Sequence, residues 1–341
     1  MENNPIHENE YKKFGIPIKV WRISVLILFT ILMLGGIMIS LIKGAVDISY
    51  QSIYQALFSG IVGTNEQIIY NIRLPRTIVG LLVGMNLALS GAILQAIMRN
   101  PLADPHIIGI SSGAGLAGVT IMILFPAMEY LITPVAFIGA MLAAVCIYIL
   151  AWKGGIRPVR IILAGVAVSA FLGSGISALM IFYSDRVHGA LMWMVGGLAA
   201  RSWPHVDIIL PYAIIGFLLA FFGAKYLNIL QLGDEIARGL GVNVELTRIL
   251  MTAVAALLAA SAVSVVGLLG FVGLVVPHAA RLIIGSDYRY LVPASALLGM
   301  SVVTFSDTFA RTAFAPIELP VGIIMAFIGA PFFLFLLRRE L

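Results

Sequence analysis

The chain has 341 residues, 61% of them apolar and 11% charged, with a formal net charge of +5. A water-soluble domain carries roughly 45–50% apolar and about 25% charged residues, and a disordered chain is poor in hydrophobes, so both classes are excluded. At about 20 apolar residues per bilayer crossing, ten spans use about 200 residues, and the composition reads as an all-α polytopic membrane protein.

Residues 1–20 form a polar N-terminal tail of mixed charge without the apolar core and small-residue cleavage site of a signal peptide. The remainder, 21–341, reads as one ten-span domain. The first span is expected at Trp21–Ile42, after Lys12, Lys13 and Lys19. Later spans fall near 68–98, 106–125, 132–152, 160–183, 205–227, 247–269, 271–285, 291–311 and 320–337. The apolar run Ile249–Ile284 is too long for one ordinary span and short for two, and the glycine-rich segment Gly267–Gly273 is where it divides. With ten spans, 15 of the 21 lysines and arginines share the side of the N-terminus, and 6 lie opposite: Lys43, Arg73, Arg76, Arg186, Arg201 and Arg311. That excess places both termini in the cytoplasm; nine spans would put Arg338 and Arg339 outside, against the bias.

Small residues recur at every fourth position: Gly80, Gly84, Ala88, Ala92 and Ala96; Gly109, Gly113 and Ala117; Gly165, Ser169, Gly173 and Ser177; Gly322, Ala326 and Ala330. Such stripes let helix backbones approach closely, or line a passage.

The chemistry of a motor or an enzyme is missing. No lysine is followed by serine or threonine after a glycine-rich turn, so the nucleotide-binding loop is absent. His7, His106, His188, His205 and His278 are scattered, and no metal site or catalytic residue is expected. His106 and His278 each follow a proline and read as helix-end anchors. Cys146, the only cysteine, reads as a small packed hydrophobe. Ion-coupled transporters use ionisable groups within spans. Here Asp307 is the clearest such group, with Arg311 one turn away as a local partner, which disfavours an ion-coupled secondary transporter.

Two polar segments remain. Arg99–His106 holds Asn100, Pro101, Asp104 and Pro105 in a short turn from which the third span starts. Gln231–Arg248 is the longest polar loop, with Asp234 and Glu235 at a helix start and Gly239 and Gly241 as breakers, and reads as two short helices outside the membrane. It is a solvated loop or a docking surface for a cytosolic partner.

The ordered set Arg73–Arg76, Gly91–Gln95, Arg99–Pro105, Gly109–Ala114, Ile162–Gly165, Met192–Gly197, Gly270–His278 and Glu318–Gly322 closely resembles the permease family of bacterial iron–siderophore, haem and cobalamin ATP-binding-cassette (ABC) importers. The resemblance covers about residues 20–340. It implies a ten-span subunit of a type II importer, with spans two to five and seven to ten as an inverted repeat and Pro105-His106 matching Pro277-His278. It also implies a second permease subunit, two cytoplasmic ATPases that bind the ATP this chain does not, an extracytoplasmic binding protein, and a place in the cytoplasmic membrane; no nucleic acid is involved. By resemblance, Arg73, Arg76 and Arg311 receive acidic residues of the binding protein; the alternative is that they anchor span ends at headgroups. Asp234, Glu235, Ala237, Gly239 and Gly241 belong to the coupling helices that meet the ATPase. Gly165, Ser169, Gly173, Ser177, Gly322 and Ala326 line the pathway. The cytoplasmic gate falls near Arg157, Pro158 and Val159, with the turn at Asn100, Pro101 and Asp104; proline and valine stand where some relatives have small hydroxylated residues.

Overall fold

A computed structural model describes residues 12–13, 16–44, 48–59, 63–106, 109–153 and 158–340. Most of the expected N-terminal tail, with His7, and Arg157 of the expected gate lie outside those residues. A two-residue antiparallel pair, Lys12–Lys13 with Ile16–Pro17, precedes α1, and the rest is helix and turn. Helix α1 (Ile18–Ile42) is followed by the short α2 (Tyr50–Tyr54) and α3 (Thr64–Ile68). A wide helical turn at Ile69–Arg73 carries α3 into α4 (Leu74–Met98). Then come α5 (Ile110–Leu124), α6 (Ile132–Ala151), α7 (Pro158–Phe182) and α8 (Val187–Val195). The chain continues through α9 (Trp203–Gln231), α10 (Asp234–Gly239), α11 (Val244–Val266), α12 (Val272–Ile284), α13 (Tyr288–Thr312) and α14 (Val321–Glu340).

Among the described residues, seven stretches are long and apolar enough to cross a membrane: α1, Thr64–Met98, Pro126–Ala151, α7, α9, α11 and α13. The protein is a multi-pass membrane protein. Three further apolar helices, α5, α12 and the Val321–Phe335 part of α14, are shorter. The 13 residues of α12 extend about 20 Å, against ~30 Å of hydrocarbon core.

Helix α4 is the axis of the molecule, with α9, α11, α12 and α13 around it and α5 paired with α6 and α7. Its small-residue stripe is the reason. A Cβ on Gly84 would stand 2.2 Å from the Gly299 carbonyl oxygen, and one on Gly91 would collide with that of Gly273, so α13 and α12 cross α4 backbone to backbone. Gly113 and Gly139 serve the α5–α6 crossing in the same way.

The apolar run divides at the expected segment: α11 stops at Val266, Gly267 takes φ +81°, and α12 starts at Val272. Other expectations are corrected. The third span begins at Ile110, because Pro105 and His106 form a turn held by the Asp104 side chain. Pro277 and His278 instead sit inside α12, so the two Pro-His pairs are not in equivalent places. The loop at 231–248 holds one short helix, not two: the Asn243 side chain accepts the Leu246 N–H at 3.0 Å and starts α11 at Val244. Cys146 is exposed rather than packed. Helix α8 has no counterpart in the span assignment, which rests on lengths a nine-residue helix never reaches.

Candidate functional site

Polar clusters lie at the two ends of α4, which spans 25 residues and so holds them roughly 35 Å apart. At its N-terminal end are Arg73, Arg76 and, from α13, Arg311. All three are buried, 4, 7 and 6% exposed. Arg73 Nη1 donates to the carbonyls of Leu41 and Ile42, both at 2.7 Å, and satisfies the C-terminal end of α1. Arg76 grips Asp307 with two bonds of 3.0 Å and reaches Glu318 Oε2 at 2.8 Å. Arg311 donates to the Ser40 carbonyl and hydroxyl, and its Nε is 3.9 Å from Asp307. The local partner expected for Asp307 is therefore its weaker one. A bidentate pair at this burial offsets the cost of taking both charges out of water. Glu318, quoted in the sequence for its motif alone, supplies the second carboxylate.

At the other end Arg99, at φ +47°, closes α4. Its Nε donates to the Leu230 carbonyl at 3.0 Å and its Nη2 pairs with Asp234. Arg248 of α11 holds the same carboxylate at 2.7 and 2.9 Å. Burial pushes the Asp234 carboxyl up, but the Arg248 hydrogen bonds and charge, with Arg99, outweigh it and hold the group below its ordinary range. One carboxylate thus clamps α10 to α4 and α11. Ala237 packs under α10 with Leu230 and Val244. Glu235 and Gly239 are exposed, and Gly241, at φ +80°, turns the chain out of α10. Leu232, Ile236 and Leu240, four residues apart, remain 56, 54 and 59% exposed and form an unpaired apolar edge.

The turn after α4 is internally tied. Asn100 Oδ1 accepts from Leu102 N at 2.9 Å, Pro101 is half-buried, and Asp104 is buried with Oδ1 accepting from His106 N at 2.7 Å. Pro158 opens α7 and Val159 is exposed. Asp104 lines a cavity of about 740 Å³ that also includes His106, Met194, Phe271, Gly322 and Ala326. The structure thus joins the Asp104–His106 turn and the α14 residues Gly322 and Ala326 in one space. It does not bring the α7 residues there. Gly165 and Ser169 pack near Gly109, Ser177 is exposed, and a Cβ on Gly173 would meet nothing within 4 Å.

This cavity is closed at one side by the segment after α8. Gly322 N donates to the Gly196 carbonyl at 3.0 Å, Gly197 N to Val266 at 2.9 Å, and Leu268 N to Trp193 at 3.3 Å. Beyond this barrier lies a smaller cavity of about 280 Å³, reaching Arg76, Arg201 and Glu318. Arg201 has burial and the neighbouring Arg76 charge as causes of a lowered pKa. Among the described residues, no three His, Cys, Asp or Glu side chains gather to hold a metal ion.

Residues 31–339 match the FecCD transport family. The chain belongs to that family. A similar protein is the Fe(3+)-citrate import system permease protein YfmD of Bacillus subtilis (strain 168), 40% identical over 318 residues, covering 93% of this chain and 95% of that one. The cobalamin import system permease protein BtuC of Halobacterium salinarum is 44% identical over 280 residues, 82% of this chain and 75% of that protein. Among solved structures, a metal-chelate type ABC transporter in an inward-facing conformation superposes with TM-score 0.82 at 28% identity, covering 93% of this chain and 99% of that chain. This FecCD member is an ABC importer permease, not an enzyme.

Proposed function

We propose that the chain is one of two permease subunits of an importer for iron–siderophore complexes, crossing the bacterial cytoplasmic membrane ten times with both termini inside. Seven long apolar helices and three shorter ones among the described residues support that count, with the Gly267–Phe271 segment adding length to α12. Spans two to five and seven to ten form the inverted repeat. The least buried span, α7, with Gly173 open and Leu163 and Phe171 exposed, meets the second permease subunit and carries the pathway wall of Gly165, Ser169, Gly173 and Ser177.

The observation that carries the reading is α10: a helix clamped by Asp234 to α4 and α11 that leaves Leu232, Ile236 and Leu240 exposed, in a chain with no nucleotide loop. Helix α10, with Glu235, Ala237, Gly239 and Gly241, seats in one of two ATPase subunits, which bind the ATP. An extracytoplasmic binding protein docks on the opposite end, where Arg73, Arg76 and Arg311 hold α1, α4 and α13 in the docking geometry. ATP binding shifts the population between outward- and inward-facing states, and the Asn100–Asp104 turn and the Pro158–Val159 end of α7 gate the inner side.

Iron is favoured because the Fe(3+)-citrate permease YfmD aligns over 95% of its length. Cobalamin is the second reading, on the 44% identity to a cobalamin permease. Reconstitution with an ATPase and a binding protein tests both. Accumulation of ferric chelate that needs both partners is expected, and cobalamin accumulation in its place overturns the cargo. Import without the ATPase overturns the class. Ile236→Asp with Leu240→Asp is expected to release the ATPase; full retention removes α10 from the interface.

A further inference from the structure

Arg201, between α8 and α9, has no part in docking, coupling or gating as described above. The geometry points to Arg201 as an anion-selecting residue at the outer mouth, taking a carboxylate of the incoming chelate; this rests on the importer reading. Among the described residues, Arg73, Arg76, Arg201 and Arg311 gather at this end, where Asp307 and Glu318 are the carboxylates paired with Arg76. Both carboxylates are claimed, since Asp307 is held by Arg76 with Arg311 beside it and Glu318 is bound to Arg76. Arg73 is spent on the α1 carbonyls.

Arg201 is left with an imidazole. Its Nη1 lies 3.0 Å from His205 Nε2, while His205 Nδ1 is tied to the Ser202 hydroxyl at 3.1 Å. An imidazole brings no negative charge, and Arg201 Nε is buried without a partner. The guanidinium is therefore a partly desolvated cation with donors to spare, and its planar fork matches a carboxylate. It lines the cavity of about 280 Å³ with Arg76, Trp193, Gly197, Glu318 and Pro320, close to the lower bound of small-molecule sites at ~300 Å³. Gly197 belongs to the hydrogen-bonded segment between this cavity and the larger one, so an anion on Arg201 rests beside that segment.

The test uses the assembled importer in nanodiscs, with citrate as the probe. Calorimetry is expected to show saturable citrate binding that weakens with salt, at least tenfold weaker binding in Arg201→Gln, and none of the uncharged triethyl ester, as expected for loss of a charge-assisted bond. In the unmutated protein, citrate is expected to slow phenylglyoxal modification of Arg201 without protecting Arg99. Absence of citrate binding, equal affinity in the variant, or equal binding of the ester overturns the proposal. Cargo-free binding protein that protects Arg201, with docking weakened in Arg201→Gln, also overturns it by making an acidic side chain the occupant. Failure to assemble with an ATPase overturns the importer reading instead, while citrate binding to the permease still decides Arg201.

Discussion

Asp307→Asn tests the buried cluster most sharply. Asp307 and Arg76 side chains are 4 and 9% exposed, and their two bonds of 3.0 Å leave no room for water between them. Removing one partner of such a pair costs about 3–5 kcal/mol, because a buried charge is left uncompensated. Here Arg76 keeps Glu318 at 2.8 Å, which limits its loss, but Arg311 retains only Ser40. The expected cost of Asp307→Asn is therefore about 3 kcal/mol, at the lower end of that range. Arg76→Met strands Asp307 beside Arg311 at 3.9 Å and frees Glu318, which is 44% exposed and rehydrates; its expected cost is similar, about 3 kcal/mol. The double variant removes the two charges together and is expected to be at least about 2 kcal/mol more stable than the sum of the singles. Unfolding by sodium dodecyl sulfate in mixed micelles measures all three. Strict additivity, or single costs below about 1 kcal/mol, refutes the view that these groups serve each other inside the chain rather than facing a partner.

Acid sensitivity has a separate origin. Asp287 caps α13; burial pushes its carboxyl up, but bonds from Arg289, Asn228 and the Arg289 backbone outweigh this and hold it at about 2. Because the folded value lies below the ordinary 3.8, its stabilisation is full above about pH 4 and fades as pH falls towards 2. Asp287→Asn is expected to flatten stability over that window, and an unchanged acid profile counts against the assignment. Gly84→Ala places a Cβ 2.2 Å from the Gly299 oxygen and is expected to cost about 1–3 kcal/mol in the same unfolding assay. Gly173→Ala, which meets nothing within 4 Å, is the control and is expected to leave the isolated chain unchanged. Asp234→Asn is expected to loosen α10, read as faster hydrogen exchange at 234–241 with the Asp307 cluster unaffected.

Much of the helical arrangement is visible in the sequence because hydrophobic runs and their breakers act locally. Gly267 ends α11 since only glycine tolerates φ +81° against the Trp193 carbonyl, and that is legible from a glycine-rich break in an apolar run. The stripe of Gly80, Gly84 and Ala88 likewise announces close helix crossings. The directions of charged side chains are not local. Arg73 and Arg76 stand near the outer start of the span expected at 68–98, and nothing local in the sequence says which groups they face. Their burial depends on Leu41, Ile42, Asp307 and Glu318, between 31 and 242 residues away along the chain.

That dependence is informative about how such a protein meets its partners. An arginine bound at both ends by its own chain cannot also give a full-strength ion pair to a visiting surface without losing what it already holds. Each new acid must then compete with a bidentate bond at low exposure, so the net gain is small even where the steering is strong. Arg201 differs in its neighbour: its Nε is buried without a hydrogen bond, as that of Arg311 is, but Arg311 has Asp307 at 3.9 Å while Arg201 has the neutral His205. At α10 the same logic runs the other way: Asp234 is consumed by Arg99 and Arg248, and Leu232, Ile236 and Leu240 stay outward as an apolar edge beside the exposed Glu235 and Arg238. Charge at both ends of α4 therefore fixes the geometry of helices, and the surfaces free to meet partners are the residues that charge leaves unspent.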